Sequence, residues 1–133
     1  MQLLEIPGFA AVVDHFGAWP TFHDAILEEL TFRPDASVLL RIKTWLTRSE
    51  VDERGYYLTS KHATIEFVLH KPLAVELFGT DLNAGTILFG LSLSREGSAY
   101  RIQLDTVLGL GGWLSTAELS ICLIQTQTAT QSQ

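Results

Sequence analysis

The sequence predicts a single α+β domain built mainly from antiparallel strands, with a short helix near its N-terminus. The 133 residues are 47% hydrophobic, which supplies one packed core of ordinary size. Apolar and polar residues alternate in four segments, as in strands that bury one face. Polar or glycine-containing turns separate these segments, which favours hairpins over the alternating strands and helices of a parallel sheet. We therefore expect about six strands in one mostly antiparallel sheet over residues 37–124.

The N-terminal helix is expected over residues 8–16. Its apolar residues recur at helical spacing, and Gly17 follows as a stop signal. These apolar positions are Phe9, Val12, Val13 and Phe16. Trp19-Pro20 then enforces an extended step. The end of the segment 26–33 is rich in strand formers, so we expect a strand there.

A first hairpin is expected from strands at 37–46 and 61–70, which the polar sequence TRSEVDERG separates. The inward residues are Val38, Leu40, Ile42 and Leu46 on the first strand, and Ala63, Ile65, Phe67 and Leu69 on the second. Glu66 lies on the outward face of the second strand. It can oppose Arg41 or Lys43 across the ladder, and such an ion pair fixes the register.

A second hairpin is expected from strands at 86–94 and 99–107, after a short strand or helical turn at 72–79 and a loop. The inward residues of the hairpin are Ile87, Phe89, Leu91 and Leu93, then Tyr100, Ile102 and Leu104. The glycines of LGLGGW predict a break, and a last strand at 113–124 turns Leu119, Ile121 and Leu123 inward. The single domain, 1–124, therefore ends before a polar, flexible tail at 125–133.

Charge and cysteine content narrow the partners and the compartment. Nine Lys and Arg against fifteen Asp and Glu give a net charge of −6, which opposes binding to nucleic acid and favours a basic partner. Cys122, the one cysteine, lies in an apolar run and is expected in the core, with no intramolecular disulfide and no cysteine zinc site. Neither a secretory signal nor an apolar run of membrane-spanning length is present. We therefore expect a cytoplasmic protein with no membrane association.

One cluster invites catalytic chemistry, Asp14-His15 together with His23-Asp24, because histidine and carboxylate side chains bind metals and exchange protons near neutral pH. The common short motifs of phosphate-binding loops, zinc proteases and serine hydrolases do not occur. We favour a structural role, in which Asp24 accepts backbone amide hydrogens and His23 fixes the loop by hydrogen bonds. No catalytic residue, metal site or cofactor is predicted.

Aromatic residues supply the remaining candidates for binding. Phe22 is expected in the core, whereas Trp19 fits either the core or a recognition site. Tyr56 and Tyr57, which follow Gly55, fit edge packing in a hairpin and an exposed contact patch equally well.

Residues 16–25, FGAWPTFHDA, resemble the FGxWPxFHDA segment of the immunity protein 50 family of bacterial polymorphic toxin systems. The order of later features is similar to that family as well. These features are Gly55-Tyr56-Tyr57 before a strand, Leu82-Asn83 before Ile87-Leu88-Phe89, and the glycine-rich stretch from Gly109 to Gly112 before the last strand. The specific part of the resemblance is the segment of about ten residues.

The resemblance implies a small bacterial cytoplasmic protein that binds a cognate toxin protein and blocks it without catalysis. The candidate binding residues are Trp19, His23, Asp24, Glu28, Glu29, Tyr56 and Tyr57. Two acidic segments would attract a basic toxin, one containing Asp14, Asp24, Glu28 and Glu29 and one at 50–53. Two alternatives remain open. The first is a small metal-dependent hydrolase that uses His23 and Asp24, and the second is a structural homodimer or other homo-oligomer.

Overall fold

The computed structural model describes residues 2–51, 53–55, 57–82, 85–106 and 109–125, and at residues 2, 4, 46–51, 57–60 and 125 it describes the backbone alone. A 3₁₀ turn, Gln2–Glu5, precedes the helix α1, Phe9–Phe16. The strands are β1 Ile26–Phe32, β2 Val38–Val51, β3 Tyr57–Leu69, β4 Pro72–Thr80, β5 Leu88–Glu96, β6 Ala99–Thr106, β7 Gly109–Thr116 and β8 Leu119–Gln125. The predicted tail, from residue 126 onward, lies outside the described residues.

The strands form two four-stranded sheets, and all the described neighbours in them pair antiparallel. Sheet A has the order β1-β2-β3-β8, and sheet B has the order β4-β7-β6-β5. The predicted class, mostly antiparallel strands with one short N-terminal helix, is confirmed. The predicted single sheet of about six strands is wrong. The described residues form eight strands in two sheets, partly because the glycine-rich stretch is the strand β7 and not a break.

The glycines of β7 serve the close approach of a neighbouring strand. A β-carbon at Gly112 would overlap the carbonyl oxygen of Glu76 in β4. Glycine weakens the pattern by which a strand is recognised in a sequence, but here its missing side chain makes room for the β4 backbone. The same feature that hides the strand in the sequence therefore allows the sheet to form.

A short stretch of backbone pairing, which we call the seam, joins the two sheets at one end. Residues 24–27 run beside residues 86–88. The Asp24 N–H donates to the Leu88 carbonyl at 2.9 Å, and the Leu88 N–H donates to the Ala25 carbonyl at 2.8 Å. Ile26 and Ile87 form an isolated antiparallel bridge. The seam fixes β1, at the edge of sheet A, to the beginning of β5, at the edge of sheet B.

One hydrophobic cluster fills the space between the sheets and α1. The predicted inward faces are confirmed for the first hairpin, apart from Leu46, whose side chain is not described, and for β6 and β8. The fully buried residues on these faces are Val38, Leu40, Ile42, Ala63, Ile65, Phe67, Leu69, Ile102, Leu104, Leu119 and Ile121, with Tyr100 and Leu123 partly buried beside them. Period-2 patterning therefore identified most of the sheet core.

The beginning of β5 does not follow the predicted pattern. Ile87 and Phe89, which were predicted to point inward, are 60% and 61% exposed, whereas Leu88 is buried. The reason is a register shift between Leu88 and Gly90 in the pairing with β6, because such an irregularity reverses the alternation on one side of it. Beyond it, Leu91 is buried as predicted. The irregularity therefore places two large apolar side chains on the surface next to the seam.

The helix α1 covers β8, and its first turn approaches that strand closely. The Ile121 N–H donates to the Pro7 carbonyl at 2.8 Å. Gly8, at the N-cap, has φ of 91°, and a β-carbon there would overlap the Ile121 carbonyl oxygen. At the other end Gly17, with φ of 86°, ends the helix, and its N–H donates to the Val13 carbonyl at 2.7 Å. The predicted helix and its stop at Gly17 are confirmed.

We expect Gly8→Ala to destabilise the protein far more than Gly17→Ala. Both positions have positive φ, so each substitution costs about 1–2 kcal/mol of left-handed strain. Only at Gly8 does the new methyl group meet the backbone of β8, since Gly17 has nothing within 4 Å. Gly8→Ala should therefore lose at least about 3 kcal/mol more in urea unfolding, or fail to fold. Equal losses for the two variants would contradict this packing.

The outer face of sheet A has an ion-pair network at its centre. Arg41 lies opposite Glu66 in the ladder, as one of the two predicted registers requires, and its Nη2 is 2.7 Å from the Glu66 carboxylate. Its Nη1 is 2.9 Å from Glu29 of β1. The hydrogen bond from Arg41 to Glu66 raises the pKa of the guanidinium further. Cys122, predicted in the core, is exposed on this face, because its neighbours in β8 are the residues that point inward.

His62 lies further along the same face, beside Trp45, with 5.6 Å between ring centroids. Partial burial, together with the nearby Lys43 ammonium, lowers the pKa of His62 below its ordinary value. The unfolded chain therefore binds a proton at this site more readily than the folded chain does. For that reason the free energy of unfolding falls as the pH drops below about 6.5.

We expect His62→Gln to flatten this pH dependence. Urea unfolding of the wild type between about pH 8 and pH 5.5 should show a loss of stability on acidification, and the variant should lose less over the same interval. Measurements at about pH 8, where His62 is neutral in both states, serve as the reference for each protein. Parallel pH profiles for the two proteins would show that His62 does not titrate differently on folding.

Candidate functional site

The turn that carries the FHDA sequence is built on buried aromatic side chains. Trp19 stacks on Phe9 of α1 with 4.5 Å between ring centroids, and it meets Phe22 edge-on at 5.6 Å. Phe22 is buried, as predicted, and Trp19 is half-buried against the same core. Phe22 and Asp24 have positive φ values of 64° and 66°, so the backbone bends on both sides of His23. The turn therefore anchors in the core while it presents His23 and Asp24 outward.

His23 is held against Phe89 at the beginning of β5. Its Nδ1 lies 3.2 Å from the Phe89 carbonyl oxygen. Because a carbonyl oxygen only accepts, Nδ1 carries the proton in this bond. The two rings are parallel within 8°, with centroids 6.2 Å apart. The predicted role of His23 in fixing the loop is thus confirmed, and the same contact holds the exposed Phe89 ring in place.

The Asp24 carboxylate points to solvent. Its Oδ2 is 3.7 Å from Nε2 of His23, with the two side chains 65% and 61% exposed. Among the described residues it accepts no backbone amide hydrogen, so the predicted capping role is wrong. What fixes this position is the backbone, because the Asp24 N–H is bound in the seam. The carboxylate is therefore free to meet a partner.

Among the described residues, no third metal-binding group lies beside the His23-Asp24 pair. In the part of the chain that the structure describes, no three His, Cys, Asp or Glu side chains gather so that they could hold a metal ion. The other histidines near these elements have partners of their own, since His15 bonds to the Lys61 carbonyl and His70 to the Ser120 hydroxyl. The pair as placed can donate and accept hydrogen bonds at an open surface.

A hollow of about 250 Å³ lies on the outer face of sheet B, next to Phe89. It extends over β6 and β7, between Phe78 on β4 and Phe89 on β5. Two glycines leave space above the sheet at this end, because they carry no side chain. Gly111 is opposite Phe78, and Gly90 is opposite Asp105. A β-carbon at Gly111 would lie 3.0 Å from Cζ of Phe78, so the Phe78 ring leans over β7. The polar and aromatic lining consists of Phe78, Phe89, Arg101, Gln103, Asp105, Thr106 and Trp113.

The charged groups of the hollow are not equivalent. Arg101 lies flat over Trp113, with Cζ 4.3 Å from the ring centroid, and its Nη1 is 3.7 Å from Glu96. Its guanidinium is thus stacked on an aromatic ring and close to a carboxylate, and its buried Nε has no hydrogen-bond partner among the described residues. Asp105 is exposed and accepts one hydrogen bond, from Gln103 Nε2 at 3.2 Å. Asp105 is therefore the lining carboxylate that a ligand can reach.

Exposed apolar and acidic side chains surround the hollow and the seam. The seam surface, as we call this region, consists of Ile26, Phe78, Ile87, Phe89 and the partly buried Trp113 together with Asp24 and Asp105. Phe78 and Phe89, which both line the hollow, are 59% and 61% exposed, which is unusual for large apolar residues that lie close together on a surface. Aromatic side chains are typical of the centre of a protein interface, and polar or charged side chains are typical of its rim.

The other predicted binding residues lie apart from the hollow. Glu28 is exposed in β1. The Glu29 carboxylate is ion-paired with Arg41 and accepts a hydrogen bond from the Thr31 hydroxyl, so its negative charge is neutralised within sheet A. Tyr56 lies outside the described residues, and at Tyr57 only the backbone of β3 is described. In the acidic segment 50–53, the one described side chain, that of Glu53, is exposed. The structure thus brings His23 and Asp24 together and places Trp19 beneath them.

Sequence reasoning missed most of the hollow. Phe78 lies in the segment with the least certain pattern, and Phe89 was predicted to be buried. Trp113 and Asp105 come together only through the pairing of β6 with β7, where Trp113 is opposite Gln103. The one available signal was the run of glycines beside Trp113, because glycine in a strand often marks a bulge or a site where a ligand approaches.

We expect Asp24→Asn to leave the stability of the protein unchanged and Asp24→Ala to lower it by about 1 kcal/mol. Asparagine tolerates the positive φ of this position as well as aspartate does, whereas alanine does not. The pair of variants therefore separates the role of the backbone from that of the exposed carboxylate. Thermal and urea unfolding provide the measurement, and equal losses in both variants would show that the carboxylate stabilises the fold.

Comparison with known proteins gives no match. No family model, no curated protein and no solved structure matches the chain. None of the helices in the described residues combines the length and the apolar character needed to cross a membrane. The functional assignment therefore depends on the geometry of the seam surface and on the resemblance carried by residues 16–25.

Proposed function

We propose that this chain is an immunity-type protein that neutralises a cognate bacterial toxin by binding it directly. The observation that carries the proposal is the segment 16–25, whose sequence resembles that of an immunity family and whose His23 and Asp24 stand at the edge of an exposed aromatic and acidic surface. The buried half of the segment anchors the turn, and the exposed half meets the solvent. A partner would therefore contact His23 and Asp24, the exposed residues of the segment, and not the buried aromatic residues that hold the fold.

The size and chemistry of the hollow support binding of a protein. Sites for small molecules usually enclose about 300–1,000 Å³ and cover most of the ligand. The hollow, at about 250 Å³, is smaller and open. Around it, exposed rings offer contact area at a small entropic cost, and exposed carboxylates offer charge. This combination suits a rigid protein surface that inserts one or two side chains.

Charge supports a basic partner. The net charge is −6, Asp24 and Asp105 are exposed on the seam surface, and Glu28 is exposed in the neighbouring strand β1. Such a surface raises the association rate of an oppositely charged protein, and salt screens the effect. All residues of the proposed site belong to this chain, so a single copy could bind the toxin and cover part of its surface.

One observation favours a structural homodimer as the second candidate. The strand β4 has nine residues and lies at the edge of sheet B. Its Leu73 and Val75 are exposed, and Glu76 is its one charged residue. A long apolar edge strand is a ready template for pairing with another chain, including a second copy. The second candidate uses the backbone edge of β4, whereas the first uses the outer face of sheet B, so a substitution at Val75 tests them separately.

We expect co-expression of this chain with the toxin encoded beside its gene to restore cell survival, and the purified pair to associate quickly at low salt. The association rate should fall markedly as the ionic strength rises from about 0.01 M to 0.15 M, because the Debye length shortens from about 30 Å to about 8 Å. Glu28→Lys should lower the association rate constant by about threefold or more at low salt. Survival and stopped-flow or surface-binding kinetics provide the measurements.

Glu118→Lys is the matched control. It changes the net charge by the same amount, but Glu118 follows the end of β7 that is opposite the hollow and pairs with Lys71. Its association rate should change less than that of Glu28→Lys. If cells die although the protein is folded, and no complex forms at either salt concentration, the immunity proposal is wrong. A chain that then forms only dimers by light scattering, and loses them in Val75→Lys, has the second function instead.

A further inference from the structure

We propose that the hollow on sheet B is a receptor for one arginine side chain of the toxin. The inference rests on the proposed function for the identity of the partner, but its chemistry depends on the hollow alone. The volume, the flat aromatic walls and the accessible carboxylate each restrict the ligand, and together they select a guanidinium group.

The walls of the hollow favour a flat group. Phe78 and Phe89 stand on the two outer strands of sheet B, three strand spacings or about 14 Å apart in backbone position. The Phe78 ring leans inward over Gly111, and His23 holds the Phe89 ring from behind. The hollow between them, at about 250 Å³, therefore accommodates a side chain and not a whole helix or strand. A guanidinium is planar and packs its face against aromatic rings, which an ammonium group cannot do.

The carboxylate of the hollow has capacity for a cation. Asp105 accepts one hydrogen bond from Gln103 within the chain, whereas an ionised carboxylate has about four acceptor sites. Its remaining sites can accept the paired N–H groups of an arginine, the geometry that makes such contacts strong. Glu76 of β4, which is opposite Trp113 of β7 in the ladder, adds a second exposed negative charge.

The chain's own arginine does not repel the ligand strongly. Arg101 is paired with Glu96 at 3.7 Å and stacked over Trp113, and it lies four residues, or about 13 Å, along β6 from Asp105. It also shows that the outer face of sheet B accommodates a guanidinium over an aromatic ring. An acidic ligand bound to Arg101 is the opposite possibility, and the experiment includes it as an outcome.

The test uses small probes with the complete chain and needs no toxin. N-acetyl-arginine amide is titrated to about 50 mM at low salt into ¹⁵N-labelled protein, a range that covers the millimolar affinity of a single side chain. The indole N–H signal of Trp113 is followed, assigned by its loss in Trp113→Phe. We expect a saturable shift for Trp113, whereas Trp19, stacked on Phe9, and Trp45, on sheet A, should not respond.

N-acetyl-citrulline amide is the matched control probe, since it has nearly the same shape without the charge. It should bind at least about fivefold more weakly, and Asp105→Asn should weaken arginine binding by a similar factor. Asp105 is exposed, so this variant should unfold at the wild-type temperature. Glu118→Gln, which removes an exposed carboxylate at the other end of the sheet, should bind the probe as the wild type does.

Three results would overturn the inference. One is the lack of a saturable Trp113 shift with the arginine probe, and another is equal binding of arginine and citrulline. The third is stronger binding of N-acetyl-glutamate amide, which would identify Arg101 as the receptor group. Arginine binding without toxin neutralisation would refute the proposed function and leave the receptor intact. Neutralisation that survives Asp105→Asn, with no arginine binding, would refute the receptor and leave the proposed function intact.

Discussion

The backbone pairing of residues 24–27 with residues 86–88 is the constraint on which the rest of the molecule depends. It is the connection that closes the edge of sheet A onto the edge of sheet B, and it does so with a few hydrogen bonds and one isolated bridge. The core between the sheets is enclosed at this end because of it. The same pairing brings the FHDA turn to the beginning of β5, so that His23 meets Phe89. Fold and candidate site therefore share one short piece of backbone.

The two outer sheet faces treat their acidic residues in opposite ways. On sheet A, Arg41 lies between Glu29 and Glu66 and forms ion pairs with both carboxylates. On sheet B, Asp105 remains exposed beside uncovered aromatic rings. A count of acidic residues cannot distinguish the two faces, because a paired and an exposed carboxylate count alike toward the net charge of −6. On sheet B this charge is available for association, which is the property that electrostatic attraction of a partner requires.

The sequence was informative where burial alternates regularly and where contacts are local. The faces of β2 and β3, the helix α1 with its stop at Gly17, and the register of Arg41 with Glu66 follow from periodicity and pairing rules. It was misleading where a register shift at Leu88 to Gly90 reverses the faces and where β7 replaces side chains with glycine. The hollow could not be predicted, because its walls come from four strands whose order in the sheet differs from their order in the chain.

A binding site shaped by missing side chains can change its specificity in unequal steps. At Gly90, next to Asp105 in the ladder, an added β-carbon would meet only the Thr21 carbonyl oxygen, at an ordinary contact distance of 3.6 Å. At Gly111 the same addition would press on the Phe78 ring and on Thr106 Oγ1, 2.7 Å away. Mutation can therefore reshape the rim on the β5 side without disturbing the fold, while the β7 floor resists change. If the surface of a partner protein changed, compensating substitutions would therefore collect at Gly90, and Gly111 would remain a glycine.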